Sequence, residues 1–427
     1  MDIKKVEKPD SEEKTLQEKL ESLENKYKQM LFPKSDSEKS EEFEEGFKKP
    51  VEVEEAIESD KRPVEKVIER IEEIPEEKPL RLPFKESVKK SKKIDSKHKG
   101  KGKDSRPTQK EVDNFIIRIN QMKKEISKVL IGQEEIVDGM ILGLLCDGHV
   151  LLEGVPGIAK TLAIRALGAV SGCDVKRVQF TVDLLPTDII GITSYTPEKG
   201  FEVIKGPVFA NFLIADEINR SPPKTQSALM ESMQERQATI GKESLKLPSP
   251  FFVMATENPL ENAGVYPLPE AQIDRFLFKM IMGYPKADEE KKVMETNMTL
   301  KKFEDFNLKK VITPEEIIKM QNITKRIYLD DSIKDYILSI VQKSRNKEFK
   351  DSEYLTFGAS PRATIAIFIA SKAQALMNGR SYVIPEDVKA VVYHVMRHRL
   401  ILSYKATLKK ISPDDLIKNI LDEVEVR

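Results

Sequence analysis

The sequence contains no tryptophan and only two cysteines among its 427 residues. Cys146 and Cys173 stand in apolar helical patterns, and neither has a partner at the C-x-x-C spacing. This favours free thiols in a reducing compartment over a disulfide framework. No stretch approaches 18 uncharged apolar residues, and no apolar segment of the signal-peptide kind stands near the first residue. We therefore expect a cytoplasmic protein with no membrane partner.

An excess of one charge is also lacking, because 71 basic residues are balanced by 71 acidic ones. Residues 1–110 nevertheless hold 28 residues of each sign and eight prolines, and residues 81–110 are strongly basic. Such a composition buries too little apolar surface to offset the entropy of ordering, so we predict a disordered charged tail over 1–110. A heptad pattern at 16–30 predicts a short helix that either self-associates or docks on a partner, or else is exposed and frays, and a second helical pattern covers 64–71.

From residue 111 onward, apolar runs alternate with helical patterns, which predicts an α/β fold with a parallel sheet covered on both faces. We assign residues 111–285 to this core. Beyond Pro285 the strand patterns stop, and residues 286–427 predict a separate all-helical domain. Strands are predicted at 149–153, 176–180, 212–216, 251–256 and 278–282, with core helices at 136–146, 160–171 and 224–237.

The most informative segment is Gly154-Val155-Pro156-Gly157-Ile158-Ala159-Lys160-Thr161, followed by Leu162. It lies between a predicted strand and a predicted helix, where backbone N–H groups and the positive end of the helix dipole can bind phosphates. Lys160 can then reach the terminal phosphates, and the Thr161 hydroxyl can bind Mg²⁺. Ala159 stands where the G-x-x-x-x-G-K-[ST] pattern has its second glycine. Taken alone, the segment could also be a turn that caps a helix.

Acidic residues follow a second buried strand about 55 residues later. Asp216 is placed to hold Mg²⁺ beside Thr161, and Glu217 to polarise the water that attacks the γ-phosphate. Asn258 follows the strand predicted at 251–256 and would lie beside Glu217. An Asn-Pro pair by itself is only a turn signal, so its position relative to the other two motifs gives it weight.

With these motifs the chain resembles the AAA+ ATPases, and more closely their MoxR-type branch, over residues 112–405. The resemblance is carried by the phosphate loop with its alanine and by further motifs on either side of it. These are Ile131-Gly132-Gln133, the run from Leu213 to Gln226, Ala255 to Pro259, Leu268 to Phe276, and Gly358 to Ala363. One departure is Glu257, where this branch usually has glutamine.

The resemblance implies roles that spacing cannot show. Arg275 looks like the arginine finger that reaches the γ-phosphate of the neighbouring subunit, and Arg362 like the second sensor, contacting the phosphates of its own subunit. Gly132 and Gln133 look like the turn that lines the adenine pocket. Two hairpins typical of the branch, at 191–206 and 237–250, would point toward the ring pore or a client.

The resemblance therefore implies an ATP- and Mg²⁺-dependent ATPase that forms a hexameric ring and remodels or matures a protein client. Clients in this branch include proteins with von Willebrand A-type domains. Two other functions stay open at this point. A nucleic-acid-stimulated motor is favoured only by the basic 81–110 segment, so a nucleic-acid partner is not expected. A nucleotide-switched scaffold is disfavoured by the presence of Glu217, Asn258 and Arg275.

Overall fold

A computed structural model describes residues 106–155, 160–198, 200–259, 265–296 and 303–426. All of them belong to one compact unit, Ser96–Arg427. The predicted charged tail, apart from its last five residues, lies outside the described residues, and so do both of its predicted helical segments. None of the described helices has the length and apolar character that crossing a membrane requires.

The described residues form eleven strands. In chain order they are β1 Val150–Gly154, β2 Val175–Gln179, β3 Gly191–Thr196, β4 Gly200–Lys205, β5 Phe212–Asp216, β6 Gln237–Ile240, β7 Glu243–Lys246, β8 Phe252–Glu257, β9 Phe278–Met282, β10 Leu355–Phe357 and β11 Ile401–Leu402. Five of them make one parallel sheet in the order β2-β5-β8-β1-β9. This confirms the predicted parallel α/β core. Strand β5 is buried along its whole length, as a sheet covered on both faces requires.

Helices cover the sheet and continue beyond it. They are α1 Gln109–Ile126, α2 Glu134–Leu145, α3 Lys160–Ser171, α4 Pro186–Ile190, α5 Pro223–Glu235, α6 Glu270–Ile273, α7 Ala287–Thr296, α8 Pro314–Arg326, α9 Asp331–Lys343, α10 Pro361–Met377, α11 Pro385–Met396, α12 Tyr404–Leu408 and α13 Pro413–Glu423. Helix α1 begins at a capping box between Thr108 and Glu111, so it spans the predicted 110/111 boundary. The domain boundaries themselves stay predictions.

Both predicted hairpins are present as two-stranded antiparallel ribbons, β3–β4 and β6–β7. The first begins at Gly191, whose φ of +106° lies in a region that side chains rarely adopt. A Cβ atom there would lie 2.2 Å from the carbonyl oxygen of Ile204. Only glycine therefore lets the chain leave α4 and enter the ribbon at this point.

The prediction that no strand follows Pro285 is wrong. Strand β10 pairs with β11 in a short antiparallel bridge inside the helical part. Runs of two and three residues are too short to show an alternating pattern, and only the tertiary fold brings them together. The helical part also shares a hydrophobic cluster with the core, because Ile367 and Val391 belong to the same buried set as Leu142 and Phe278.

Candidate active site

Three neighbouring strands bring the predicted catalytic residues to one edge of the sheet. Strands β5, β8 and β1 lie side by side and run in the same direction, so their carboxyl ends meet. Asp216 is the last residue of β5, Asn258 follows β8, and Lys160 opens the helix after β1. Ligands of open α/β sheets bind at this edge.

The Lys160 side chain links the end of β1 to the end of β8. Its Nζ donates to the carbonyl oxygen of Gly154 at 2.6 Å and to that of Glu257 at 3.3 Å. The ammonium group therefore lies over the gap between β1 and β8. Residues 156–159 of the phosphate loop lie outside the described residues, whereas Gly154 and Val155 precede the gap and Leu162 follows it in α3.

Asp216 gathers three donors at the end of β5. The Thr161 hydroxyl donates to Oδ2 at 3.0 Å, the Thr256 hydroxyl to Oδ1 at 3.2 Å, and the Nε of Arg177 to Oδ2 at 2.6 Å. Hydroxyl and carboxylate oxygens are the ligands that Mg²⁺ prefers, and those of Thr161 and Asp216 are already within 3.0 Å of each other. This donor set fits a magnesium ion that also binds phosphate oxygens. The described residues include no group of three or more His, Cys, Asp or Glu side chains able to hold a metal alone.

Glu217 has an unusual backbone conformation that directs its side chain. Its φ of 56° and ψ of 51° place a non-glycine residue in the left-handed region, which costs about 1 kcal/mol or more. The Thr256 hydroxyl oxygen accepts a hydrogen bond from its backbone N–H at 2.9 Å. The Glu217 Oε2 accepts hydrogen bonds from Gln179 at 2.7 Å and from Arg220 at 2.9 Å. Backbone strain of this kind persists only where the surrounding structure maintains it, and it is common at functional positions.

Asn258 is only 4% exposed and follows Glu257 at the end of β8. Glu257 pairs in register with Glu153 of β1, which Lys279 contacts at 2.5 Å. Burial raises the pKa of the Glu257 carboxyl, Lys279 opposes that rise, and Glu153 adds to it. The acid that replaces the usual glutamine is therefore biased toward its neutral form.

Sequence reasoning missed Arg177 and Gln179, which reach from β2 to bind the carboxylates of Asp216 and Glu217. Arg177 also donates to the Oε1 of Gln179 at 2.8 Å, so the two side chains form one hydrogen-bonded unit. The available signal was their spacing, because residues two apart in a strand point to the same face. Without the strand order, nothing placed β2 next to β5.

Gly132 and Gln133 lie in the turn before α2. Gly132 has a φ of +71°, and a Cβ atom there would lie 2.5 Å from the Oε2 of Glu289. The Gln133 amide donates to the carbonyl oxygen of Gly283 at 3.2 Å. This turn therefore packs against the connection after β9 and the first turn of α7, where the core passes into the helical part.

The structure does not bring Arg275 and Arg362 to Lys160. Both line a cleft of about 340 Å³ beside Gly148 and His149, which precede β1 at the amino edge of the sheet. Since five residues of β1 separate the two edges, they are about 13 Å apart. Arg362 pairs with Asp274 at 3.3 Å, and this placement differs from its predicted contact with the phosphates of its own subunit.

A parallel sheet with a Lys-Thr helix start after β1, an acidic pair after β5 on the far side of β8, and a helical part beyond the sheet has the arrangement of an AAA+ ATPase. A family model described as "ATPase family associated with various cellular activities (AAA)" matches residues 149–278, and an AAA lid domain model matches residues 348–420. Within that class the chain belongs to the MoxR-type family, whose members include a named chaperone.

Similar proteins cover about 70% of the chain. Chaperone MoxR1 of Mycobacterium tuberculosis is 46% identical over 306 residues, spanning 70% of this chain and 80% of the relative. YeaC of Bacillus subtilis, an uncharacterised protein, is 43% identical over 304 residues, or 71% and 93% of the two chains. The crystal structure of a Cytophaga hutchinsonii protein assigned as an ATPase is 41% identical with a TM-score of 0.70, covering 74% of this chain and 97% of that one.

Proposed function

We propose that this chain hydrolyses ATP with Mg²⁺ and uses the energy to remodel or mature a protein client. The proposal rests on one observation, the meeting of Lys160, Thr161, Asp216, Glu217 and Asn258 at the carboxyl edge of β1, β5 and β8. Residues 111–285 would form the nucleotide-binding core and residues 286–427 the lid. The two free cysteines support a cytoplasmic location.

The bound ATP and Mg²⁺ would supply the phosphoryl group and the positive charge that neutralises its oxygens. Thr161 and Asp216 would hold the metal, and backbone N–H groups of residues 154–162 would hold the phosphates. Lys160 would exchange its carbonyl acceptors on Gly154 and Glu257 for phosphate oxygens. This exchange is favourable because a charged acceptor makes a stronger hydrogen bond than a carbonyl.

Glu217 would act on the attacking water as general base, and Asn258 would orient that water. In the structure the Glu217 carboxylate is engaged by Gln179 and Arg220. We propose that these bonds hold the base away from water until nucleotide binding rearranges the edge. Gly132 and Gln133 would contact the adenine from the junction of core and lid.

Arg275 and Arg362 would complete the site of a neighbouring subunit. Both lie at the edge of the sheet opposite Lys160, about 13 Å away along the strands. Arg275 is exposed, and an arginine that stabilises the transferred phosphoryl group raises the rate by about 10³–10⁵. We therefore propose a ring of subunits with shared sites, six being the number that the family implies.

The β3–β4 ribbon is the surface that we propose contacts the client. Tyr195 and Phe201 pair across the two strands with ring centroids 5.1 Å apart, and they are 61% and 80% exposed. An exposed aromatic pair on a narrow ribbon can bury apolar surface of a protein chain. A protein with a von Willebrand A-type domain is the client class that the family suggests.

The proposal is tested by replacing Glu217 with glutamine. Glu217→Gln is expected to lower the ATPase rate by at least about 10²-fold while nucleotide affinity stays within about twofold, since the amide cannot accept the proton. Glu231→Gln, an exposed glutamate of α5, is the matched control and should keep full activity. Turnover by Glu217→Gln at the wild-type rate would show that Glu217 is not the base. Capture of proteins by ATP-bound Glu217→Gln would then identify the client.

A further inference from the structure

Arg399 is a buried arginine whose every N–H group has a partner. It follows α11 in the lid and is only 7% exposed. Its Nε donates to Asp274 Oδ1 at 2.6 Å, and its terminal nitrogens donate to four carbonyl oxygens, those of Asp274, Phe276, Leu277 and Val395. A guanidinium group has five N–H donors, so this set uses all of them.

The four bonds to the core all fall on one segment, Asp274 to Leu277, which leads into β9. Arg275 lies inside this segment and is exposed, while Asp274 on one side of it and Phe276 on the other are bound to Arg399. Arg399 therefore binds the backbone on both sides of Arg275, and His398 of the lid binds only one side, through its Nε2 and the Phe276 carbonyl oxygen at 3.1 Å. The Arg275 side chain extends into the cleft at the amino edge.

The carboxylate of Asp274 extends the same arrangement to Arg362. Its Oδ1 accepts from Arg399, while its Oδ2 accepts from the Ser360 hydroxyl at 3.0 Å and from Arg362 at 3.3 Å. The carboxylate that Arg399 holds therefore also binds Arg362, and Arg275 is the next residue along the chain. Arg399 beside Asp274 also compensates a charge that would be costly to leave partly buried and unpaired.

Attachment of the lid alone does not require this geometry. Core and lid already share a hydrophobic cluster, and Arg397 joins them separately by donating to the Lys279 carbonyl oxygen at 3.1 Å while pairing with Asp414. A buried ion pair is also weak support for stability, because desolvation offsets most of the attraction. What Arg399 adds is a fixed position for the segment around Arg275.

We propose that Arg399, through Asp274, is a positioning residue that holds Arg275 in place for the neighbouring subunit, an inference that rests on the proposed shared site. Displacement of a catalytic group by about 1 Å can lower the rate about 10²-fold. Arg399→Lys keeps the charge but offers three donors instead of five. We expect it to lower kcat about 10²-fold with little change in KM for ATP, because Lys160 and Thr161 still hold the nucleotide.

Mixed rings distinguish this role from a purely structural one. Arg399→Lys subunits retain Glu217, so mixing them with Glu217→Gln subunits, which carry an intact Arg275, should restore activity. Mixing them with Arg275→Ala subunits should restore none, because neither partner then offers a well-placed arginine. The opposite pattern, recovery only with Arg275→Ala, would mean that Arg399 serves its own subunit and would overturn the inference.

Two controls and one substitute variant complete the test. Arg275→Ala mixed with Glu217→Gln must itself recover activity, and its failure would refute the shared site rather than the role of Arg399. Arg397→Lys loosens lid contacts outside the segment and should keep kcat within about threefold. If Arg399→Lys does not fold, as judged by circular dichroism, Asp274→Asn takes its place and must give the same mixing pattern. Any other pattern with Asp274→Asn overturns the inference.

Discussion

Acidification should destabilise the fold through His149, which is buried just before β1. Its Nδ1 accepts the backbone N–H of Val253 at 3.0 Å, so the neutral ring carries its proton on Nε2 and donates to the carbonyl oxygen of Met233 at 3.2 Å. A second proton on Nδ1 would face the Val253 donor. Burial, and then the nearby Arg236 guanidinium, lower the pKa of His149 to about 3.

The sign and size of the effect follow from proton linkage. The unfolded chain binds a proton at His149 below its ordinary pKa of about 6.5, whereas the folded chain does not bind one until about pH 3. The contribution of His149 is therefore complete above pH 6.5 and is lost as the pH falls. At up to 1.36 kcal/mol per pH unit, the free energy of unfolding drops by about 2.7 kcal/mol between pH 7.5 and 4.5.

The assay is denaturant unfolding of the wild type and His149→Gln at pH 7.5, 6.5, 5.5 and 4.5. Glutamine retains a donor and an acceptor but does not titrate. His394 and His398 also have lowered pKa values, chiefly through burial, so both proteins lose stability in acid. Subtracting the free energy of unfolding of His149→Gln from that of the wild type at each pH isolates the contribution of His149. A difference between the two proteins that stays constant from pH 7.5 to 4.5 would refute the reasoning.

Two further predictions concern the edge strand β2 and the ribbon. Arg177 and Mg²⁺ would compete for Asp216 Oδ2, and a half-exposed ion pair contributes about 1 kcal/mol at most. In the hydrolysis-deficient background, Arg177→Met should therefore lower the Mg²⁺ concentration for half-maximal nucleotide binding about fivefold, and an unchanged midpoint contradicts the competition. Gly191→Ala should lower the free energy of unfolding by about 3 kcal/mol, because its Cβ would meet the Ile204 carbonyl oxygen. Gly200 also has a positive φ, but a Cβ atom there would meet no other atom, so Gly200→Ala should lower the free energy of unfolding by only about 1 kcal/mol. Equal losses of stability in the two variants would argue against the steric cause.

The strands of the core were predictable because each is a short apolar run followed by a turn signal. Predicted strands at 212–216 and 278–282 match β5 and β9 at both ends. Elements without such a signal were missed, among them β10 and β11, which are too short to show a period. Helix α13 lies within the part predicted as helical and begins at a capping box between Ser412 and Asp415.

The residues of the phosphate-binding edge follow from the sequence itself. Lys160, Thr161, Asp216 and Glu217 are chemically specific side chains at the ends of apolar strands, and parallel strands end at the same edge whatever their order. Their identity, and membership of the MoxR-type family, required no coordinates.

Tertiary structure alone decided which side chains surround that edge and where the two arginines lie. Arg177 and Gln179 reach the carboxylates only because β2 pairs with β5. Arg362 and Asp274 are 88 residues apart in the sequence, and they meet only because the lid docks at the amino edge of the sheet. Contacts between distant segments depend on strand order and helix packing, which local patterns do not encode. The sequence therefore determines which side chains the site contains, and the fold decides at which edge of the sheet each arginine lies.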